Sequence, residues 1–342
     1  MNYIPALDGI RALAILLVVL FHAQVPGLGG GFVGVDVFFV LSGYLITRLL
    51  CEEHKRNGQI NKKQFYIRRL KRLYPPLLLV ISSYLVLATM LDGNYTRRIK
   101  EALISAAYIA DFARGLGHPM PFLAHTWSLA VEEQFYLFWP LILTPILALR
   151  KVRAATVILA IYLALTGWRA LCATALEQDF YIYYRLDTHI SGIFLGCLLG
   201  YLNLRAPSRY GAIGAIGIAL AAFTFAWGTK ATLVFGFTTA EIFAAILIAS
   251  QPQWLEKFGL PWLGKVSYSW YLWHWLIMRL MIDSNWEWQN ILLVGGGASL
   301  ILAILTYYWV EQPIRRIGRQ SQTVNLETNN RAAESNLRTS YD

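Results

Sequence analysis

Residues 10–25 read IRALAILLVVLFHAQV, sixteen positions of which only Arg11 and His22 can carry a charge. A helix that is apolar on every side belongs inside a large core or a bilayer. Working outward, nine more runs of this kind follow, at about Phe32–Leu50, Pro75–Leu91, Trp127–Leu149, Ala154–Ala173, His189–Leu204, Tyr210–Trp227, Leu233–Ala249, Val266–Ile282 and Ile291–Val310. Most reach the length that a bilayer requires, and the shorter ones can take in flanking residues. Of the 342 residues, 56% are hydrophobic and 15% charged, against roughly 25% charged in soluble domains. A soluble globule of this size has too little interior for so much apolar surface. Backbone exposed to lipid must satisfy its own hydrogen bonds, so the runs are helices. The expectation is an all-α polytopic membrane protein with about ten transmembrane helices.

Charge placement sets the topology. The net charge of +10 would point to nucleic acid in a soluble chain. In a membrane protein it instead marks the loops that stay in the cytoplasm. With ten spans and both termini cytoplasmic, the inner loops and tail hold twenty Lys and Arg and the outer loops six. The segment Ile99–Arg114, with Lys100, Glu101, Asp111 and Arg114, fits an eleventh span, an interfacial helix or a re-entrant segment. An eleventh span would turn Arg150–Arg153 and the tail outward, so the charges favour a re-entrant or interfacial segment near 99–115. No nucleic-acid partner is expected, and the membrane lipids themselves are. The first run lacks a cationic leader and a small-residue cleavage site and reads as a retained span. Residues 1–319 read as one integral-membrane domain in the cell membrane. Residues 320–342, rich in Gln, Asn, Thr, Ser and Glu, read as a disordered cytoplasmic tail. Cys51, Cys172 and Cys197 give neither a disulfide framework nor a metal spacing.

Ionisable groups inside the spans are the candidates for function. Arg11 and His22 lie eleven positions apart, which returns to within about 20° of one helix face and separates them by about 16 Å along the axis. A snorkelling arginine plus a packed histidine accounts for that spacing equally well. Asp36, near the outer end of the second run, shares the depth of His22 and could orient its ring; it could also only cap a glycine-rich helix start. His125, Ser128 and Glu132 share a face at i, i+3 and i+7, which makes Glu132 the better inward candidate of the adjacent pair Glu132 and Glu133. A structural Glu132 paired to an arginine is the plainer alternative. Asp187 and His189, with Arg185, open the sixth span at the same level. His274 sits among aromatic residues that suit a packed core histidine as well as a lined cavity. On the inner side, Arg68, Arg69 and Arg72 form an RRxxR run on a helical segment, Gln64–Tyr74. Guanidinium forks suit phosphate groups, although a positive-inside cluster explains the charge alone. No zinc-ligand pattern, Walker loop or nucleophile elbow is present, and no metal is expected.

Five ordered motifs resemble a known family. They are Leu7–Ala12 followed by His22 in an R-x10-H spacing, Gly34–Tyr44, the RRxxR run at Arg68–Arg72, His125–Tyr136, and the aromatic stretch around His274 with Glu311–Pro313 beyond it. The chain resembles acyltransferase family 3, the bacterial integral-membrane O-acyltransferases, over about residues 3–316. The resemblance implies transfer of an acyl group, usually acetyl, from cytoplasmic acyl-CoA to a hydroxyl of an extracytoplasmic glycan or lipid-linked saccharide. It implies His22 as the catalytic histidine with Arg11 as its partner, Glu132 as the family carboxylate, and Arg68, Arg69 and Arg72 as the CoA-phosphate site. Asp36 or Glu132 would orient the histidine. Some family members carry an SGNH esterase-like domain, and a separate extracytoplasmic partner of that kind would serve here. The alternative from another class is a glycolipid transporter or flippase with an intramembrane proton relay. That alternative accounts for the buried charges but not for a one-sided arginine cluster.

Overall fold

The computed structural model describes residues 3–90, 94–175 and 179–316. Among these residues there are helices and turns and no strand. The order is α1 (Pro5–His22), α2 (Gly34–Asn57), α3 (Lys62–Ala88), α4 (Tyr95–Ala106), α5 (Ala110–Gly115), α6 (Thr126–Leu147), α7 (Lys151–Ala175) and α8 (Asp179–Tyr184). There follow α9 (Leu186–His189), α10 (Ser191–Leu202), α11 (Tyr210–Thr224), α12 (Thr232–Ser250), α13 (Leu260–Asp283) and α14 (Trp288–Arg316).

Six of these, α1, α2 (with the turn that leads into it), α3, α7, α12 and α14, are long and apolar enough to cross a membrane. Helices α10 and α11, of 12 and 15 residues, are apolar but shorter. Helices α6 and α13 have spanning length, at 22 and 24 residues, and carry the polar groups discussed below. The surface agrees with a lipid solvent. On α11, Ile213, Ile216, Leu220 and Phe223 form a helical stripe 50–63% exposed, while Gly214, Gly217 and Ala221 face inward. A protein surrounded by water would bury that stripe. The protein is a multi-pass membrane protein. The expected tail, 320–342, lies outside the described residues.

The segment near 99–115 does not form one spanning helix. It breaks into α4 and α5, of 12 and 6 residues, at Tyr108 with φ 53°. A helix of that first length rises only about 18 Å, short of the roughly 30 Å of hydrocarbon. Glu101 ties α4 to its surroundings. Tyr84 donates to its Oε2 at 2.7 Å, and the amides of Phe122 and Leu123 donate to its Oε1 at 2.8 and 2.6 Å. Burial raises the Glu101 carboxyl above its ordinary range, against the pull of these three donors.

The centre is built on close backbone contacts. Helices α2 and α10 cross where both present glycine: a Cβ on Gly43 would overlap the Ile193 carbonyl, and one on Gly196 the Val40 carbonyl. Helices α1 and α13 lie side by side and run the same way, because Gly264 of α13 sits on the Asp8 carbonyl near the start of α1 while their far ends meet at His22 and His274.

The α2–α10 crossing yields a direct test. Gly43→Ala or Gly196→Ala is expected to cost about 1–3 kcal/mol through overpacking. Gly167→Ala on α7, where a Cβ meets nothing within 4 Å, is expected to be neutral or slightly stabilising. Thermal unfolding in detergent measures all three; equal melting temperatures would refute the tight crossing.

Candidate functional site

Two cavities approach each other inside the bundle from opposite ends. The first, about 450 Å³, opens among the starts of α1 and α13 and the first turns of α3. Its charged lining comes from Arg11, Arg69, Arg72, Lys265 and Arg315, with Asp8 and Glu132 as the carboxylates. The second, about 520 Å³, opens among the ends of α1 and α13 and holds His22 and His125. Val35 and Tyr271 line both cavities and form the wall between them. The Tyr271 hydroxyl donates to the His125 carbonyl at 2.9 Å and pairs with Ser128 Oγ at 2.6 Å. Tyr271 is therefore pinned by two hydrogen bonds where the two linings meet.

His22 stands on the second cavity in a defined hydrogen-bond register. His274 Nδ1 lies 2.7 Å from the Tyr271 carbonyl and 3.2 Å from the Trp270 carbonyl. Carbonyls only accept, so with neutral rings this nitrogen carries the proton and His274 Nε2 presents a lone pair. His22 Nδ1, 2.9 Å away, is the donor to it. That leaves the lone pair of His22 on Nε2, on a ring that lines the cavity. The hydrogen bond on one nitrogen thus decides which form the other presents to a ligand. His125 packs beside the pair, its ring 5.7 Å from that of His274. It is 3% exposed, and neither of its nitrogens makes a hydrogen bond among the described residues.

The structure redistributes the other expected residues. Asp36 does not meet His22: its Oδ1 is 3.1 Å from His189 Nε2. The azimuth of Asp36 on α2 points it to α9 instead of α1. His189 Nδ1 donates to the Tyr183 carbonyl at 2.6 Å, so one further proton must lie between Nε2 and Oδ1, since two lone pairs would repel. Rings of Phe39, Trp127, Tyr183 and Phe237 surround His189 at centroid distances of 4.2–5.6 Å. Arg11 lines the first cavity, bonded to Asp8 Oδ1 at 2.6 Å, and makes no contact with His22. Glu132 lines that cavity too, and Glu133 does not.

Of the arginine run, Arg69 and Arg72 reach the first cavity. Arg69 lies with its guanidinium carbon 4.9 Å from the Tyr136 ring centroid, and Arg72 Nε is buried without a hydrogen-bond partner among the described residues. Arg68 turns away. It lies 3.6 Å from Glu53 and donates to Gln64 at 3.2 Å. Residues 69 and 72 share the inward face at i and i+3, while 68 is a third of a turn off it. Arg185 clamps Asp187 at 2.5 and 3.0 Å, and Trp168 donates to the same carboxylate. Burial alone would raise Asp187, and these donors outweigh it and hold it below the usual carboxylate range.

One buried cluster escaped the sequence reading. Arg169 of α7 is 1% exposed and pairs with Glu241 of α12 at 3.1 Å. It also donates to Ser191 Oγ at 2.6 Å, Thr238 Oγ1 at 2.7 Å and the Leu233 carbonyl at 3.0 Å. Leu233 lies in a π turn, Thr232–Gly236, which frees carbonyls from the usual ladder. The signal was available: each residue is an isolated charge of opposite sign within an apolar run. Among the described residues, no group of three or more His, Cys, Asp or Glu is placed to hold a metal ion.

Comparison with known proteins gives a consistent picture. A family model described as an acyltransferase domain matches residues 4–309. A Staphylococcus aureus (strain COL) protein, provisionally named an O-acetyltransferase, is 32% identical over 93% of this chain and 58% of its own length. The peptidoglycan O-acetyltransferase OatA of Listeria monocytogenes is 32% identical over 93% of this chain and 56% of its own. YrhL of Bacillus subtilis, provisionally named a peptidoglycan O-acetyltransferase, is 32% identical over 94% and 56%. The chain therefore spans just over half the length of these relatives. No solved structure matches it significantly.

The Asp36–His189 contact makes a prediction of its own. In a double-mutant cycle on thermal stability, Asp36→Asn and His189→Gln are expected to couple by at least about 0.5 kcal/mol. Asp36→Asn and His274→Gln are expected to add. Coupling of Asp36 to His274 instead would show that the carboxylate serves the other histidine pair.

Proposed function

Because the chain belongs to the acyltransferase-domain family, we propose that it is a membrane O-acetyltransferase that draws acyl-CoA from the cytoplasm and acylates a hydroxyl of an extracytoplasmic glycan or lipid-linked saccharide. The names of the relatives support transfer over transport. The positive-inside distribution supports ten spans with both termini in the cytoplasm, in the bacterial cell membrane, so that the Arg69 cavity faces inward and the His22 cavity outward.

In this reading the CoA phosphates rest on Arg69 and Arg72, with Arg11, Lys265 and Arg315 adding positive charge to the same cavity. Arginine forks bind phosphate oxygens in pairs. Arg68 contributes only to the field at the mouth. The narrow pantetheine arm displaces the Tyr271 ring and brings the thioester to the level of His22. Glu132, facing this cavity, orients Arg69 or the pantetheine amides. The observation that carries the proposal is the His22–His274 pair, standing against the wall between an arginine-rich cavity and a second one.

His22 Nε2 takes the proton of the acceptor hydroxyl as its oxygen attacks the thioester carbon. The new C–O bond forms, the C–S bond breaks, and the imidazolium returns its proton to the departing sulfur, giving the ester and CoASH. His274 accepts from His22 Nδ1 throughout and so steadies the ring and its positive state. His125 lies where a ring N–H can meet the carbonyl oxygen as it gains charge. Arg11 sets the charge of the donor cavity, and Asp36 acts at one remove, by holding His189 behind the wall residue Trp127. A separate esterase-like partner would extend the route of the acyl group beyond the membrane.

The test is the purified protein in liposomes, with labelled acetyl-CoA inside and glycans outside. Wild type is expected to place covalent label on the glycan; movement of glycan without label would indicate a transporter. His22→Ala is expected to abolish transfer. His274→Gln is expected to lower kcat by about 10–100-fold with donor KM little changed, the size seen for groups that orient a reacting histidine. Arg69→Gln with Arg72→Gln is expected to raise donor KM about tenfold or more and leave acceptor KM within about twofold. An equal rise for both substrates would refute the phosphate role.

A further inference from the structure

The cavity that holds His22 has a charge of its own. Arg97 of α4, Arg114 of α5 and Arg279 of α13 all line it, and no Asp or Glu does. They come from three separate elements, two of them the short helices that fail to cross the membrane. Asp283 pairs with Arg279 one turn further along α13, and the Glu101 carboxylate lies one turn along α4 from Arg97, so among the described residues three guanidiniums on this lining meet two nearby carboxylates that do not line it. The opposite cavity mixes its cations with Asp8 and Glu132. Outward loops of membrane proteins are poor in Lys and Arg, so three arginines converging here are not a consequence of topology.

The rest of the lining suits a sugar. Trp127, Trp227, Trp275 and Tyr184 present aromatic faces to the same space. Arg114 lies over the Tyr184 ring at 4.4 Å, which holds its guanidinium flat beside an aromatic surface. Trp275 anchors the wall by donating to the Pro121 carbonyl at 3.0 Å. The buried His125 ring lines the same cavity. The lining thus combines aromatic side chains, a buried imidazole and three guanidiniums.

We propose that this cavity selects an anionic saccharide, one whose carboxylate or phosphate is held by Arg97, Arg114 and Arg279 while the hydroxyl to be acylated reaches His22. Its use as an acceptor rests on the acyl-transfer reading above; its selectivity for charge does not. Guanidinium–oxyanion pairing at the rim positions the ring, and stacking on the tryptophans accepts many ring stereochemistries. A neutral glycan loses the first and keeps only the second.

The tryptophans supply the readout. Intrinsic fluorescence of the full chain in lipid nanodiscs is titrated with three probes: a hexuronic-acid disaccharide, its carboxyl-reduced neutral counterpart, and a hexose phosphate. One or both anionic probes are expected to half-saturate at least tenfold lower than the neutral one, a difference of about 1.4 kcal/mol. The advantage is expected to shrink with added salt and to fall within about twofold in Arg97→Gln with Arg279→Gln. Comparing the uronic acid with the phosphate tells which oxyanion fits. Equal binding of the neutral probe, or a preference that survives both substitutions, overturns the proposal. The same probes are then offered to liposomes loaded with labelled acetyl-CoA. Anion-selective binding without label transfer upholds the charge-selective cavity and counts instead against acyl transfer.

Discussion

Helix α1 and helix α13 travel in the same direction, and their first turns touch so closely that Gly264 rests on the Asp8 backbone. That contact, about four turns from His22 along α1 and about three from His274 along α13, is what brings His22 Nδ1 to 2.9 Å from His274 Nε2. A side chain at Gly264 would wedge the two helices apart, and a shift of about 1 Å would break the hydrogen bond that fixes the tautomer of His22. The ring chemistry is set by backbone packing. The two carbonyls that hold His274 Nδ1 belong to the preceding turn of its own helix, so the partner ring is positioned locally and His22 is registered against it.

The same constraint, that polar groups away from water must find partners, organises the rest of the bundle. Arg169 spends all its nitrogens on α10, α12 and the π turn, and Glu101 spends both oxygens on the loop before α6 and on Tyr84. Removing one partner of a buried pair such as Arg169–Glu241 strands a charge, at a cost of about 3–5 kcal/mol. Some buried polar atoms stay unmatched even so, Asp36 Oδ2 and Glu241 Oε2 among them. His125 and the Nε of Arg72 belong to the two cavity walls, one on each side of Tyr271.

Much of this was legible in the sequence, because a bilayer makes both patterns loud: long apolar runs, and rare charges within them. The runs gave the helices, the charge asymmetry argued against a crossing at 99–115, and the i, i+3, i+7 spacing put Glu132 on a cavity. What stayed hidden was azimuth between helices. Depth alone set Asp36 level with His22 in the sequence, yet the packed bundle turns it toward His189 of α9. In the same way, Arg68 and Arg72 share a face in the sequence, but the cavity lies on the side of Arg69 and Arg72. The role of His274 could not be separated from core packing, since the aromatic residues around it fit both. Arg169 and Glu241, 72 positions apart, announce themselves singly and reveal their pairing only in three dimensions.

The Tyr271 wall has an electrical consequence. With the two cavities open to opposite sides, as proposed above, and filled by water, the membrane voltage concentrates over the layer around Val35 and Tyr271 that separates them. A unit charge carried through that layer does work of about 2.3 kcal/mol for each 100 mV. A tyrosine held by Ser128 and the His125 carbonyl is thus an insulator as well as a door, and any charged group that passes it moves with or against the energy of the cell.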